Sequence, residues 1–241
     1  MDATEIAHGH LEGADSPYLF IWDIDGTLTQ APGVGRAVME QVFRELFGIA
    51  NALEGIPMAG SLDSVIVGTA FDRLGLDRRR LPEYWTRYCA RLEEALAADP
   101  TARTTPNIEA VLAELDADPR AYNVLGTGNI ERGAWIKLRR FGLDRFFEVG
   151  GFGDVPQERW RVIETAVRRA EARYGMAFVP ERITVIGDTP RDIEAGKRLG
   201  VRTVAVATGP YDVDALAACR PDAVLPSFAV EWRPALFGSE T

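Results

Sequence analysis

Residues 18–27 read Tyr-Leu-Phe-Ile-Trp-Asp-Ile-Asp-Gly-Thr. A short apolar run that stops in acids and glycine is the pattern of a buried strand feeding a loop. Similar runs occupy 121–126 (AYNVLG), 182–187 (RITVIG) and 201–207 (VRTVAVA), with a weaker fifth at Ala223–Leu225. Helical spacing fills the intervals. Ile130, Ala134, Ile136–Leu138 and Phe141 mark one helix, closed by Gly142. Trp160, Ile163, Val167 and Ala170 mark another, with Pro156 in its first turn. Pro190–Leu199 is a third, closed by Gly200. Strands alternating with helices predict an α/β fold built on a doubly wound parallel sheet.

The stretch from about 30 to 103 is different. Val34, Val38, Val42, Phe43 and Leu46 keep helical spacing. So do Val65, Ile66, Ala70, Phe71 and Leu74, and again Leu81, Tyr84, Trp85, Tyr88, Leu92 and Leu96. This predicts an all-helical cap over 31–103, inserted into an α/β core made of 17–30 and 104–241. Such an insertion leaves the carboxyl end of the first strand, where open α/β sheets place their ligands.

Composition narrows the function. The 241 residues are 46% hydrophobic and 26% charged, an ordinary globular balance, with a net charge of −9. A general nucleic-acid surface or an anionic-membrane surface is disfavoured, and no window of about eighteen apolar residues exists to span a bilayer. Met1 to Pro17 lacks a basic start and an apolar stretch, so it does not read as a secretory signal. Two cysteines, Cys89 and Cys219, are too few for a disulfide framework, and a cytoplasmic location is expected. His8 and His10 form an H-x-H pair in a polar tail and read as a terminus rather than a metal site.

The chemistry sits at strand ends. Asp23 and Asp25 close the first strand, followed by Gly26 and Thr27. The second run ends in Gly126-Thr127-Gly128-Asn129, where small residues expose backbone N–H groups to a phosphate. Glu131 breaks the spacing of a dinucleotide fingerprint. The third run ends in Gly187-Asp188, with Asp192 four residues on. Taken singly, each string reads as a turn or a helix cap. In a parallel sheet the three ends lie side by side. Asp23, Asp25 and Asp188 would then form an oxygen-rich cluster suited to Mg²⁺.

In their order and spacing these signatures, Asp23-Ile-Asp25-Gly-Thr, Thr127-Gly-Asn and Gly187-Asp188-Thr-Pro-Arg-Asp192, resemble the haloacid dehalogenase-like (HAD) hydrolase superfamily. The resemblance covers about 18 to 226. The helical insertion looks like the C1 cap of phosphoglycolate phosphatase-like members. The resemblance implies a Mg²⁺-dependent phosphatase acting on a small phosphorylated metabolite. Asp23 would be the nucleophile and Asp25 the general acid and base. Gly26, Thr127, Gly128 and a cation would bind phosphate. The metal would be held by Asp23, Asp188 and the backbone carbonyl of Asp25, with Asp192 acting through water or hydrogen bonds. The acid at Asp25 disfavours carbon–halogen and phosphonate cleavage. A phosphomutase or phosphotransferase of the same superfamily, and a degenerate non-catalytic binding member, are the alternatives.

One departure concerns the cation, because the family usually places a lysine before the last acid pair. Only Lys137 and Lys197 occur here. Measured along their helices they lie roughly 13–15 Å from the strand ends, which predicts that neither reaches a bound phosphoryl group. Arg159 is the expected replacement and Arg161 the second choice. In the cap, the Gly/Ser-rich loop 55–64 supplies Gly60, Ser61 and Asp63 as candidates for substrate contact or closure.

Overall fold

Every residue of β1 (Tyr18–Trp22) is buried. Its side chains alternate: Tyr18, Phe20 and Trp22 enter one apolar layer, Leu19 and Ile21 the other. A strand apolar on both faces has to be covered on both, and each large side chain so buried contributes about 1.5–3 kcal/mol. The computed structural model, which describes residues 16–155 and 157–238, meets that demand with a sheet between two helical layers. His8, His10 and Pro156 lie outside the described residues.

Along the chain, β1 is followed by β2 (Thr29–Gln30), α1 (Val34–Phe47), α2 (Asp63–Arg73), α3 (Leu81–Ala98) and β3 (Arg103–Thr104). Then come α4 (Ile108–Asp116), β4 (Ala121–Gly126), α5 (Glu131–Arg139), β5 (Gly150–Gly151) and α6 (Arg159–Tyr174). The chain closes with β6 (Ile183–Gly187), α7 (Pro190–Leu199), β7 (Arg202–Val206), α8 (Val213–Ala218), β8 (Ala223–Leu225) and α9 (Arg233–Phe237). The six-stranded sheet runs β5-β4-β1-β6-β7-β8, all neighbours parallel. On one face Ile108, Val111 and Leu112 of α4, Leu138 of α5 and Leu236 of α9 cover β1. On the other lie Ile163 and Ala166 of α6 and Ala195 of α7. The tail belongs to the first layer: Phe237 packs edge-on against Tyr18 and Phe20, and Phe228 lies 5.7 Å from Trp22.

The chain leaves and re-enters this core through a two-stranded antiparallel ribbon, with Thr29 opposite Thr104 and Gln30 opposite Arg103. Sequence periodicity does not show the ribbon, because two residues per strand carry no period. The three helices between its strands have their own apolar cluster, including Val42, Phe43, Phe71, Tyr84 and Leu92. Ile130 of the core joins that cluster, and α3 packs on α5. Gly133 lies at this contact: a Cβ there would sit 3.3 Å from Ile130 Cγ1 and 3.5 Å from the Tyr88 ring. No described helix is long and apolar enough to cross a membrane.

Candidate active site

The carboxyl ends of β1, β4 and β6 are adjacent, so Asp23, Thr127 and Asp188 meet at one rim. The Asp23 amide donates to the Ile186 carbonyl at 2.9 Å and the Thr127 amide to that of Gly151 at 3.1 Å. Carboxylate oxygens of Asp23, Asp188 and Asp192 lie within 4.8 Å of one another, all three buried. Asp192 arrives by local chemistry. It is the third residue of α7, and its carboxylate accepts from the Thr189 amide and hydroxyl in a capping box. Glycine makes the cluster fit. A Cβ on Gly26, whose φ is +85°, would lie 2.2 Å from Asp188 Oδ2, and one on Gly209 would lie 1.7 Å from it.

Arg159, the first residue of α6, reaches into this cluster with a side chain only 7% exposed. Its Nη2 donates to Asp23 Oδ1 at 2.8 Å, Asp192 Oδ1 at 2.7 Å and the Gly126 carbonyl at 2.9 Å. Arg161 points elsewhere, over the Trp160 ring at 4.4 Å. One guanidinium does not balance three buried carboxylates. Burial pushes Asp23 up to about 6, with Arg159 opposing and Asp192 and Asp25 reinforcing the rise. Burial, with Asp23 and Asp192 beside it, raises Asp188 well above the usual carboxylate range. Among the described residues Asp188 has no cationic partner; Thr27 donates its hydroxyl to Oδ1 at 3.3 Å.

Asp25 turns away from this cluster. Its carboxylate accepts from Lys137 Nζ at 2.5 Å and from Asn129 Nδ2 at 2.8 Å, and Asn129 Oδ1 accepts from Lys137 at 2.5 Å. Desolvation works against the charge, but Lys137 and Asn129 overcome it and hold the carboxyl below its ordinary range. The expectation for Lys137 is therefore corrected: its ammonium is part of the site. Rise along the axis overstates the gap, because α5 begins only at Glu131 and helical side chains lean toward the N-terminus. The sequence does hold a signal, a lysine on the stripe set by Ala134, Leu138 and Phe141. Lys197 stays remote, donating to the Cys219 carbonyl. Asn129 closes the second motif. It also donates to the Thr127 hydroxyl, which is fully buried.

The loop between α1 and α2 lies over this rim. The Asp63 amide donates to the Gly128 carbonyl at 2.8 Å, and Asp63 Oδ2 accepts from the Ile130 amide at 3.0 Å. Burial raises the Asp63 carboxyl to about 7, against the pull of Lys137. Ser61 Oγ accepts from Arg191 Nη1 at 2.5 Å. Gly60 and Gly128 make the contact tight: a Cβ on Gly60 would lie 2.8 Å from Thr189 Oγ1, and one on Gly128 would lie 2.4 Å from the Ser61 carbonyl oxygen. Between the α1–α3 helices and the sheet is a cavity of about 660 Å³. Asp23, Asp25, Asp188, Gly128, Lys137 and Arg159 line its floor, while Met39, Met58, Ile66 and Tyr88 come from the cap.

Comparison with known proteins bears on the fold that carries these residues. Residues 162–230 match the family model described as HAD-hydrolase-like. The chain is 24% identical over 211 residues to the tyrosine-protein kinase PtkA of Mycobacterium tuberculosis, a match covering 81% of this chain and 64% of that protein. It thus spans less than two thirds of that relative's length. It is 29% identical over 126 residues to phosphoglycolate phosphatase of Synechococcus elongatus, covering 52% of this chain and 56% of that protein. The structure of CbbY from Rhodobacter sphaeroides in complex with phosphate superposes with a TM-score of 0.67 at 17% identity, covering 90% of this chain and 96% of that one. At that identity the likeness shows the fold, which is that of the HAD-like hydrolases.

Proposed function

We propose that this chain, which has the fold and the ordered motifs of the HAD-like hydrolases, is a phosphatase that hydrolyses a small phosphomonoester through a phosphorylated Asp23. One observation carries the reading: Asp23 is far along the sequence from Asp188 and Asp192, yet the three carboxylates converge within 4.8 Å, with Arg159 between Asp23 and Asp192. Three buried acids around one cation are costly unless a further cation joins them. The donor set is all oxygen, which suits a hard divalent ion. Asp23, Asp188 and the backbone carbonyl of Asp25 would hold Mg²⁺, with Asp192 steering Arg159. When bound, the ion supplies positive charge against the repulsion between a carboxylate and a phosphate dianion.

The chain's own groups divide the remaining work. An Asp23 oxygen attacks phosphorus and displaces the alkoxide, and Arg159 neutralises phosphoryl oxygens as charge shifts. Gly26, Thr127 and Gly128 form the polar rim of the phosphoryl site. Asp25, held as a carboxylate by Lys137 in the free protein, takes up a proton as the phosphate dianion binds beside it, gives that proton to the leaving oxygen and then takes one from the attacking water. The second step releases phosphate and restores Asp23. Gly60, Ser61 and Asp63, from a cap covering 31–103 on a core of 17–30 and 104–241, close over the substrate and exclude bulk water.

The test is phosphate release from a panel of metabolite monoesters, with Mg²⁺ and with chelator. We expect Mg²⁺-dependent turnover that Asp23→Asn abolishes while the far-UV circular dichroism is kept. Undiminished Mg²⁺-dependent turnover by Asp23→Asn would overturn the assignment. A second reading, phosphoryl transfer to an acceptor other than water, is favoured by the 24%-identical relative named as a tyrosine-protein kinase. In that case free phosphate stays low and the label passes to an added acceptor. The third reading, a non-catalytic binding member, has less to support it, because Arg159 and Lys137 both stand at the acids.

A further inference from the structure

The cavity between the inserted helices and the sheet has more room than the phosphoryl chemistry needs. Asp23, Gly128 and Arg159 stand on its floor, and its volume is about 660 Å³. Sites that enclose a drug-sized ligand measure ~300–1,000 Å³. An ester of two or three carbons held at Asp23 would leave most of that space to water. Much of the remaining wall is apolar. Met39, Met58, Ala59 and Ile66 come from α1, α2 and the loop between them, Pro32 from the chain entering α1, and Pro210 from the loop after β7. Met39 and Ile66 are buried, Met58 is half-buried, and Pro32, Ala59 and Pro210 are exposed. Single exposed apolar groups are ordinary, but several converging on one concave wall mark a surface that something covers.

We propose that this wall receives the alcohol portion of the substrate, and that the ester hydrolysed is that of a bulky, uncharged, largely apolar alcohol, a benzyl or hexyl group in size, rather than of a small acid. The proposal rests on the phosphatase reading. With the phosphoryl group at Arg159, such an alcohol displaces water from the apolar wall, a gain in proportion to the area covered. The polar side chains that share the cavity are mostly bound within the chain. Gln30 Nε2 donates to the Thr208 carbonyl at 3.0 Å, and Lys137 is taken by Asp25 and Asn129. Arg36 Nη2 donates to the Leu53 carbonyl at 3.1 Å and Arg103 Nη1 to that of Thr101 at 3.2 Å. Both arginines are exposed, where water solvates the charge. Tyr88, whose hydroxyl has no partner among the described residues, is completely buried and offers no accessible polar surface. Two of the chain's four methionines stand in the wall, and their unbranched thioethers reshape around a ligand and favour contact with aromatic rings.

The test is a series of primary monoesters, ethyl, butyl, hexyl and benzyl phosphate, set against phosphoglycolate and inorganic phosphate. Their affinities with Mg²⁺ present are measured calorimetrically on Asp23→Asn protein, which keeps every group of the wall. Each methylene buried should tighten binding about fourfold, so butyl phosphate should bind roughly tenfold more tightly than ethyl phosphate. Benzyl phosphate should bind more tightly than phosphoglycolate. Adding Met58→Gln, similar in length but polar, should cut the butyl-to-ethyl ratio about threefold and leave the affinity for inorganic phosphate unchanged, and Met58→Leu should restore the ratio. Wild-type kcat/KM should follow the same order along the alkyl series. A flat series, a ratio that Met58→Gln leaves intact, or phosphoglycolate as the tightest ligand would overturn the proposal while leaving the phosphatase reading in place. Failure of inorganic phosphate to bind, with no phosphate released by the wild type from the wider panel, would instead overturn that reading, and the proposal with it.

Discussion

Asp63 shows how much a single buried acid reports. Folding raises its carboxyl to about 7, because burial outweighs the help of Lys137 and the Ile130 amide. An acid whose pKa is raised by folding favours the fold while protonated. That contribution is whole below pH about 4 and is lost as pH rises through about 7, with an upper bound of ~4 kcal/mol. Asp23 and Asp188 are raised as well and act with the same sign. In chelator, the wild type should therefore lose stability between pH 4 and 8. Asp63→Asn keeps an acceptor for Ile130 and should be more stable than the wild type at pH 8. Urea unfolding at both pH values checks this; equal pH slopes for the two proteins would refute it. Arg159 is the opposite case, a cation whose loss leaves Asp23 and Asp192 unpaired. Arg159→Ala should cost about 3–5 kcal/mol of stability and nearly all turnover. Arg161→Ala, which removes a contact with Trp160 and an exposed electrostatic interaction with Glu158, should cost little in either assay; the reverse ranking would move the cation role.

At the scale of elements, the helices and the longer strands follow from periodicity. The alternation of Tyr18, Phe20 and Trp22 against Leu19 and Ile21 already requires two covering layers. Pro190 and Gly200 bracket α7 as their stereochemistry demands. Periodicity is silent on β2, β3 and β5, which have two residues each and owe their pairing to partners far along the chain. The loops are decided by close approach. Gly128 carries the clearest consequence, since a methyl there would run into the Ser61 carbonyl. Gly128→Ala should hold the cap away from the core. We expect turnover to fall by at least a hundredfold while Tm changes by only a few degrees. Small-angle scattering should then report a larger radius; unchanged turnover would show that this contact is dispensable.

Over the whole molecule, the apolar cluster of the inserted helices and that of the sheet meet at a polar seam, and the seam is where the acids gather. Ion binding there should stabilise the entire fold by mass action. Millimolar Mg²⁺ should raise Tm by several degrees. Asp188→Asn should raise the metal-free Tm, by removing a repelled charge, and abolish the Mg²⁺ increment; a full increment in that variant would place the ion elsewhere. The sequence by itself determined the α/β alternation, the helical insertion and the three strand ends with Asp23, Thr127 and Asp188. Each of these depends on local periodicity or on residues a few positions apart. Only the tertiary structure decided that Lys137 joins Asp25, that Arg159 spans Asp23 and Asp192, and that Met58 and Pro210 face the cavity. Those contacts bridge separate elements, and their distances are set by helix tilt, side-chain lean and the packing of one cluster on another, none of which a linear spacing encodes.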